Sequence, residues 1–193
     1  MRREIDIYDP IEDKIVEKKQ LSPNAKKTLI FLGCALIGII VAAVLLYIFD
    51  LAVTGAPTPE KAIAEYEKAA ILYDIDDMIE YSSEYNKIVL YGNKETSDRL
   101  LTDYLEKGYE GKTSQYASSE IGFKLVSAVN YEKGSKKYND ALEKYCEKVA
   151  NGAETVDEIS IVRMTIVKGT SETTRNYVAV RIGSRWYFAF AQS

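Results

Sequence analysis

A chain of 193 residues has the size of one domain, or of one modest domain with appendages. Its 47% hydrophobic and 28% charged residues suit a globular protein, and a net charge of -4 with both signs mixed lacks the clustered basic surface that nucleic-acid binding requires. Histidine is absent, which excludes Ser-His-Asp and Cys-His hydrolase chemistry, the common histidine-containing zinc sites and any histidine pH switch.

Residues 1–27 alternate charges with isolated apolar side chains (Ile5, Ile7, Ile11, Ile15) and contain Pro10 and Pro23. Such a segment buries too little surface to fold alone, so it reads as a disordered tail. From Thr28 to Phe49 the sequence is TLIFLGCALIGIIVAAVLLYIF, about 22 residues without a charge. About 20 apolar residues span a hydrocarbon core about 30 Å thick, so residues 28–50 are expected to form a transmembrane helix contacting the bilayer through 28–49. Lys18, Lys19, Lys26 and Lys27 precede it, while Asp50 follows it and no cation appears before Lys61. The positive-inside rule then places the N-terminus in the cytoplasm and the C-terminal region outside a single-pass cell-membrane anchor.

Three processing signals are weaker readings of the same residues. A cleavable signal peptide has a shorter apolar run, and the candidate site Thr54-Gly55-Ala56 is followed by Pro57. A lipoprotein site at Cys34 would have too few apolar residues before it, and Arg2-Arg3 lies too far from the run for a twin-arginine signal. Within the helix, Cys34, Gly38 and Ala42 recur every four residues, the small-residue spacing that lets two helices approach, and they form the candidate homodimer stripe.

A short stiff linker over 51–57, with Gly55 and Pro57, leads to an outer domain over 58–193. Thr58-Pro59-Glu60 is a helix start, with a capping hydroxyl and a proline where no hydrogen bond is lost. Ile63, Tyr66, Ala70 and Tyr73 then share one face. Asp74-Ile75-Asp76-Asp77 ends that helix, and Asp76 is expected to cap a short second one carrying Met78, Ile79 and Tyr81. A calcium loop would need glycine and glutamate where Ile79 and Tyr85 stand. Lys87 to Tyr91 fits either a brief strand or a helical turn. A further helix begins at Thr96 or Ser97 and runs to Gly108, with Leu101, Tyr104 and Leu105 inward.

Ile121, Phe123, Leu125, Ser127 and Val129 alternate with the period of a strand that ends before Gly134. Ser135 to Ala150 predicts a helix with Tyr138, Leu142, Tyr145 and Val149 inward, stopped at Asn151-Gly152. Three strands follow over Glu158–Val167, Thr173–Ile182 and Arg185–Ala191, with Gly183-Ser184 as a hairpin turn. In the last strand Trp186, Phe188 and Phe190 form one row, expected to face the helices. Helices first and a meander last define an α+β fold with helices on one face of a curved antiparallel sheet.

Thr58-Pro59-Glu60 with Ile63 and Tyr66, then Tyr73-Asp74-Ile75-Asp76-Asp77-Met78, and finally Val178-Ala179-Val180-Arg181-Ile182-Gly183-Ser184-Arg185-Trp186-Tyr187 resemble the opening helices and closing hairpin of the NTF2-like (cystatin-like) superfamily. The chain is most similar to its bacterial extracytoplasmic DUF4878-type branch, from which the helix at Ser135 departs as an addition. The matching residues are packing residues, so the resemblance implies architecture more than activity.

The expected function is that of a noncatalytic membrane-anchored module of the cell envelope, binding an envelope protein or a small apolar ligand. No catalytic, cofactor or metal residue is assigned. The lone outer thiol, Cys146, reads as a small buried hydrophobe. One alternative is an assembly component of a conjugation or type IV secretion-like machine, whose bitopic members resemble this plan. The other is an isomerase or dehydratase of the NTF2-like kind working through Asp and Tyr. An enclosed polar cavity would favour the enzyme, and a filled core with an exposed apolar patch the binding module.

Overall fold

The computed structural model describes residues 32–42 and 54–192. The chain divides into two compact units between Ala52 and Val53. In the first, residues 32–42 are helical (α1), and Leu32, Leu36, Ile37, Ile39, Ile40 and Val41 are exposed. Among the described residues no helix is long and apolar enough to cross a membrane. The expected tail, the ends of the expected membrane segment at 28–31 and 43–50, and linker residues 51–53 lie outside the described residues.

The second unit opens on α2 (Pro59–Leu72), where the Thr58 hydroxyl accepts a hydrogen bond from the Lys61 amide at 3.4 Å and proline occupies the first turn. The helix ends at Tyr73, which is left-handed at φ 59. That turn places Asp74, rather than Asp76, ahead of α3 (Ile75–Glu80), where it accepts from the Asp77 amide at 3.3 Å. Asp76 already lies inside the first turn, where its side chain cannot reach back to the free amides. Of the stretch Lys87–Tyr91, Lys87 to Leu90 form the C-terminal half of helix α4 (Glu84–Leu90), which Ser83 caps and which ends at Tyr91.

In α5 (Asp98–Tyr109) Leu101 and Leu105 are buried against Ile79, but Tyr104 is turned outward and half exposed. The apolar stripe there is only wide enough for the two leucines, and the Tyr104 ring meets Tyr91 edge-on at 5.1 Å. Ser135 caps α6 (Lys136–Cys146), which stops four residues before the expected Ala150. Asn151, left-handed at φ 61, then reverses the chain into the single turn α7 (Gly152–Thr155).

The strands are β1 (Ile121–Tyr131), β2 (Glu158–Lys168), β3 (Ser171–Ile182) and β4 (Arg185–Gln192). They form one antiparallel sheet in chain order. The fold is therefore α+β, as the order of periodic segments predicts. The expectation of helices on one face alone is corrected by the burial of consecutive residues in β3. Tyr177 and Ala179 join Val162, Met164, Ile166, Trp186 and Phe188 under Ile63 and Tyr66 of α2. Val178 and Val180 join Ile159 and Phe190 under Tyr138 and Tyr145 of α6 and Tyr85 of α4. The central strands are thus apolar on both faces because both faces are covered.

Two β-bulges redistribute the outer strands between these cores. In β1 the register shifts between Leu125 and Ser127, so Phe123 pairs with Ile166 and Leu125 with Met164 on the α2 face, whereas Val129 pairs with Ile161 and Tyr131 with Ile159 on the α6 face. In β4, Phe188 pairs with Ala179 but Phe190 pairs with Val178, with Ala189 as the extra residue. An inserted residue breaks strict alternation. The expected inward rows Ile121 to Val129 and Trp186 to Phe190 are each divided between the faces. Trp186 and Phe188 face α2, with the Phe188 ring stacked on Tyr66 at 4.0 Å, while Phe190 crosses to α6.

The outer edge of β4 is sealed by other parts of the chain. Ala56 and Trp186 exchange backbone hydrogen bonds at 2.9 and 2.8 Å, and Phe188 bonds to Tyr81 and Ser83 at 2.8 Å each. Gly55 makes this approach, at φ 80, because a side chain there would strike the Tyr187 ring.

Candidate functional site

The edges of the sheet differ. Among the described residues the backbone of β1 pairs only with β2, and Leu125, Val126 and Val129 are 51%, 55% and 47% exposed. The bulge at Val126 and the single cation of the strand, Lys124, which is paired with Glu172, are features that discourage edge-to-edge aggregation. The edge nevertheless exposes three large apolar side chains along its length, with Leu125 on the α2 side and Val129 on the α6 side of the bulge.

The α6 face shows a related feature. Pairing across the four strands aligns Val129, Ile161, Val178 and Phe190 in one rung and Ser127, Arg163, Asn176 and Gln192 in the next. The helix α6 covers Val178 and Phe190 but leaves Ile161 half-buried and Val129 open. Along its flank runs a cleft of about 200 Å³ lined by Lys137, Asp140, Lys144, Ile161, Phe190 and Gln192. The Lys144 ammonium lies 4.5 Å from the centre of the Phe190 ring, close enough for a cation–π contact.

Other clefts also open to solvent. One of about 370 Å³ lies between the end of α2, at Ala70, Ile71 and Tyr73, and the loop Thr113 to Tyr116. Another of about 320 Å³ contains the Lys87–Asp98 ion pair of 2.8 Å beside Thr54 and Tyr187. The Tyr187 hydroxyl lies 3.2 Å from both the hydroxyl and the carbonyl of Thr54.

Under α2, the Glu67 carboxyl faces Tyr177, with Arg175 and Lys168 near. Burial raises its pKa above the usual glutamate value, against the lowering effect of Arg175, Tyr177 and Lys168. The phenol of Tyr177 is held neutral far above its ordinary range, chiefly by burial and then by Glu67. That of Tyr66 is pushed up to about 12 by burial. A carboxyl and a neutral phenol in contact can exchange a proton with a bound substrate, but Glu67 and Tyr177 line none of the clefts above.

The folded Glu67 keeps its proton to higher pH than the unfolded chain does. Its contribution to stability is therefore complete below the ordinary glutamate range and is lost as pH rises through the raised folded value. Glu67→Gln, which keeps an acceptor for Tyr177 but cannot ionise, is expected to flatten this part of the stability profile and to be at least as stable as the parent at pH 7. Denaturant midpoints measured from pH 4 to 8 check this. Parallel profiles for the two proteins would mean that the carboxyl is not held above its usual range.

Cys34, Gly38 and Ala42 all lie on α1, exposed, with open space around Gly38, and the stripe touches nothing among the described residues of its own unit that would occupy it. Cys146, a free thiol, is half-buried at the end of α6. Among the described residues no group of three or more His, Cys, Asp or Glu side chains could hold a metal ion. Comparison of the chain with protein-family models, with curated proteins and with solved structures finds no match.

Sequence reasoning missed the exposed β1 edge, the rung of Arg163 and the contact of Glu67 with Tyr177. The first two depend on the bulges, and the third joins residues 110 positions apart that each fit their own segment without it. The one available signal was Val126, an apolar residue at the polar phase of a strand.

Proposed function

We propose that this chain is a membrane-anchored, noncatalytic binding module of the cell envelope, with its N-terminus in the cytoplasm and an extracytoplasmic NTF2-like domain of the DUF4878 type. The observation that carries the binding reading is the exposure of Leu125, Val126 and Val129 along the open edge of β1, Leu125 on the α2 side and Val129 on the α6 side of the bulge. An unpaired strand edge that also exposes apolar side chains offers both backbone hydrogen bonds and apolar contact to an added chain. The filled cores on both sides of the sheet add support, because they leave its surface and rim as the places to bind. The anchor and topology rest on the uncharged run from Thr28 to Phe49 and the lysines before it. A more specific form, an assembly component of a conjugation or type IV secretion-like machine, rests on that plan alone.

A photo-crosslinking residue at Val126 of the full chain in cells tests this reading. A discrete protein adduct is expected, abolished by Leu125→Asp with Val129→Asp. Protease added from outside should remove the adduct while leaving an epitope tag at Met1 protected. A tag reached from outside would reverse the topology, and an unchanged adduct pattern in the Asp variant would remove the β1 edge from the function. The isomerase-like reading has one observation in its favour, the Glu67 contact with Tyr177. It would displace the binding module if turnover of an isomerase substrate were lost in Glu67→Gln with the fold intact.

A further inference from the structure

We propose that the uncovered part of the α6 face is the docking groove for an acidic, amphipathic segment of a partner protein, an inference that rests on the binding-module reading and supplies its partner chemistry. The groove has an apolar floor and two cationic banks. Its floor is the accessible part of one rung, Val129 and half-buried Ile161, closed at one end by Phe190, which α6 and Lys144 cover. On one bank α6 presents Lys137 and Lys144; on the other the next rung presents Arg163, exposed and without an ion pair among the described residues. Neighbouring rungs on one face lie about 7 Å apart, twice the rise of a strand residue. Arg163 therefore stands one rung from the floor, on the side away from the rung of Ile159 and Val180 that α6 covers.

Charge decides the sign of the occupant. The cleft is lined by two cations, Lys137 and Lys144, and one carboxylate, Asp140, and Arg163 adds a third cation from the neighbouring rung. A segment carrying glutamate or aspartate beside leucine-like residues satisfies both the banks and the floor, and arginine can take a carboxylate through two hydrogen bonds. A free lipid fits less well. The cleft of about 200 Å³ is smaller than the roughly 300–1,000 Å³ of sites that bury a small molecule, and it opens along its length. A peptide laid across the strands needs only to place alternate side chains in it.

The test uses the full chain in neutral-lipid nanodiscs and a fluorescent twelve-residue peptide alternating glutamate and leucine, with a lysine–leucine peptide of equal length as control. Saturable binding of the acidic peptide, weakening steeply with salt, is expected. Lys137→Glu with Arg163→Glu should weaken it at least tenfold and confer binding of the lysine–leucine peptide. Both positions are exposed, and an unchanged melting curve would show that the charge reversal leaves the fold intact. Absence of acidic-peptide binding, or binding unaffected by the charge reversal, overturns the proposal. So does binding of phosphatidylglycerol vesicles that depends on these residues while the peptide does not bind. Crosslinking at Val126 that persists in the charge-reversed protein would leave the binding-module reading standing while the groove proposal falls with a negative peptide result.

Discussion

Trp186→Ala is expected to lower the melting temperature of the domain by on the order of 10–20 °C. The indole is buried in the core on the α2 face, beside Ala56, Ala62 and Phe188. Removing a large buried aromatic typically costs about 3–5 kcal/mol, the lost transfer energy plus the cavity left behind. One kcal/mol moves the melting temperature of domains near this size by about 2–8 °C. The backbone bonds between Trp186 and Ala56 survive the change, so the loss reports the side chain alone. Thermal unfolding of the purified protein followed by circular dichroism checks it, and a variant melting within a degree or two of the parent would place the indole outside the core.

Gly152→Ala is expected to destabilise through the other core and by the opposite fault, too much volume rather than too little. A methyl group on Gly152 would lie 2.9 Å from two ring carbons of Tyr145 and 3.2 Å from the Val149 side chain. The ring has nowhere to retreat, since Tyr145 is fully buried and packs on Tyr85. Its hydroxyl comes near Ser83 and the backbone of Tyr85 but meets hydrogen-bond geometry with neither. Overpacking of this kind costs about 1–3 kcal/mol. Because Trp186 and Tyr145 belong to different clusters, the double variant should show the sum of the two losses within about 0.5 kcal/mol. Strong coupling between them would mean that the sheet does not separate two cores.

What the sequence makes legible here is what is decided locally. Thr58 and Ser135 start helices because a hydroxyl three residues before a free amide suffices, whatever the rest of the chain does. The strand segments are legible because β-branched and aromatic residues cluster between turns such as Gly183. The bulges at Val126 and Ala189 are not local, since an extra residue is extra only relative to the strand beside it. From one strand alone Phe190 and Val129 continue their rows; only the register with β3 and β2 sends them to the other face. The same limit hid the candidate groove, which exists because α6 covers part of a rung rather than all of it. Tyr104 fails differently: its phase is correct for the helix, but the neighbour it would have needed is supplied only for Leu101 and Leu105.

The strap at Ala56 gives the domain a mechanical grain. A pull on the chain from its N-terminal side enters this unit at Thr54 and reaches, before any helix, the two backbone bonds that join Ala56 to Trp186. Tension is therefore borne first by the last hairpin of the sheet, and α2 is shielded until that clip opens. Opening it would strip the cover from one side of Trp186 and from that stretch of the β4 edge, while Phe188 stays bonded to Tyr81 and Ser83. Under such a pull the clip is a fuse: it yields at two hydrogen bonds and exposes a strand edge before α2 is loaded.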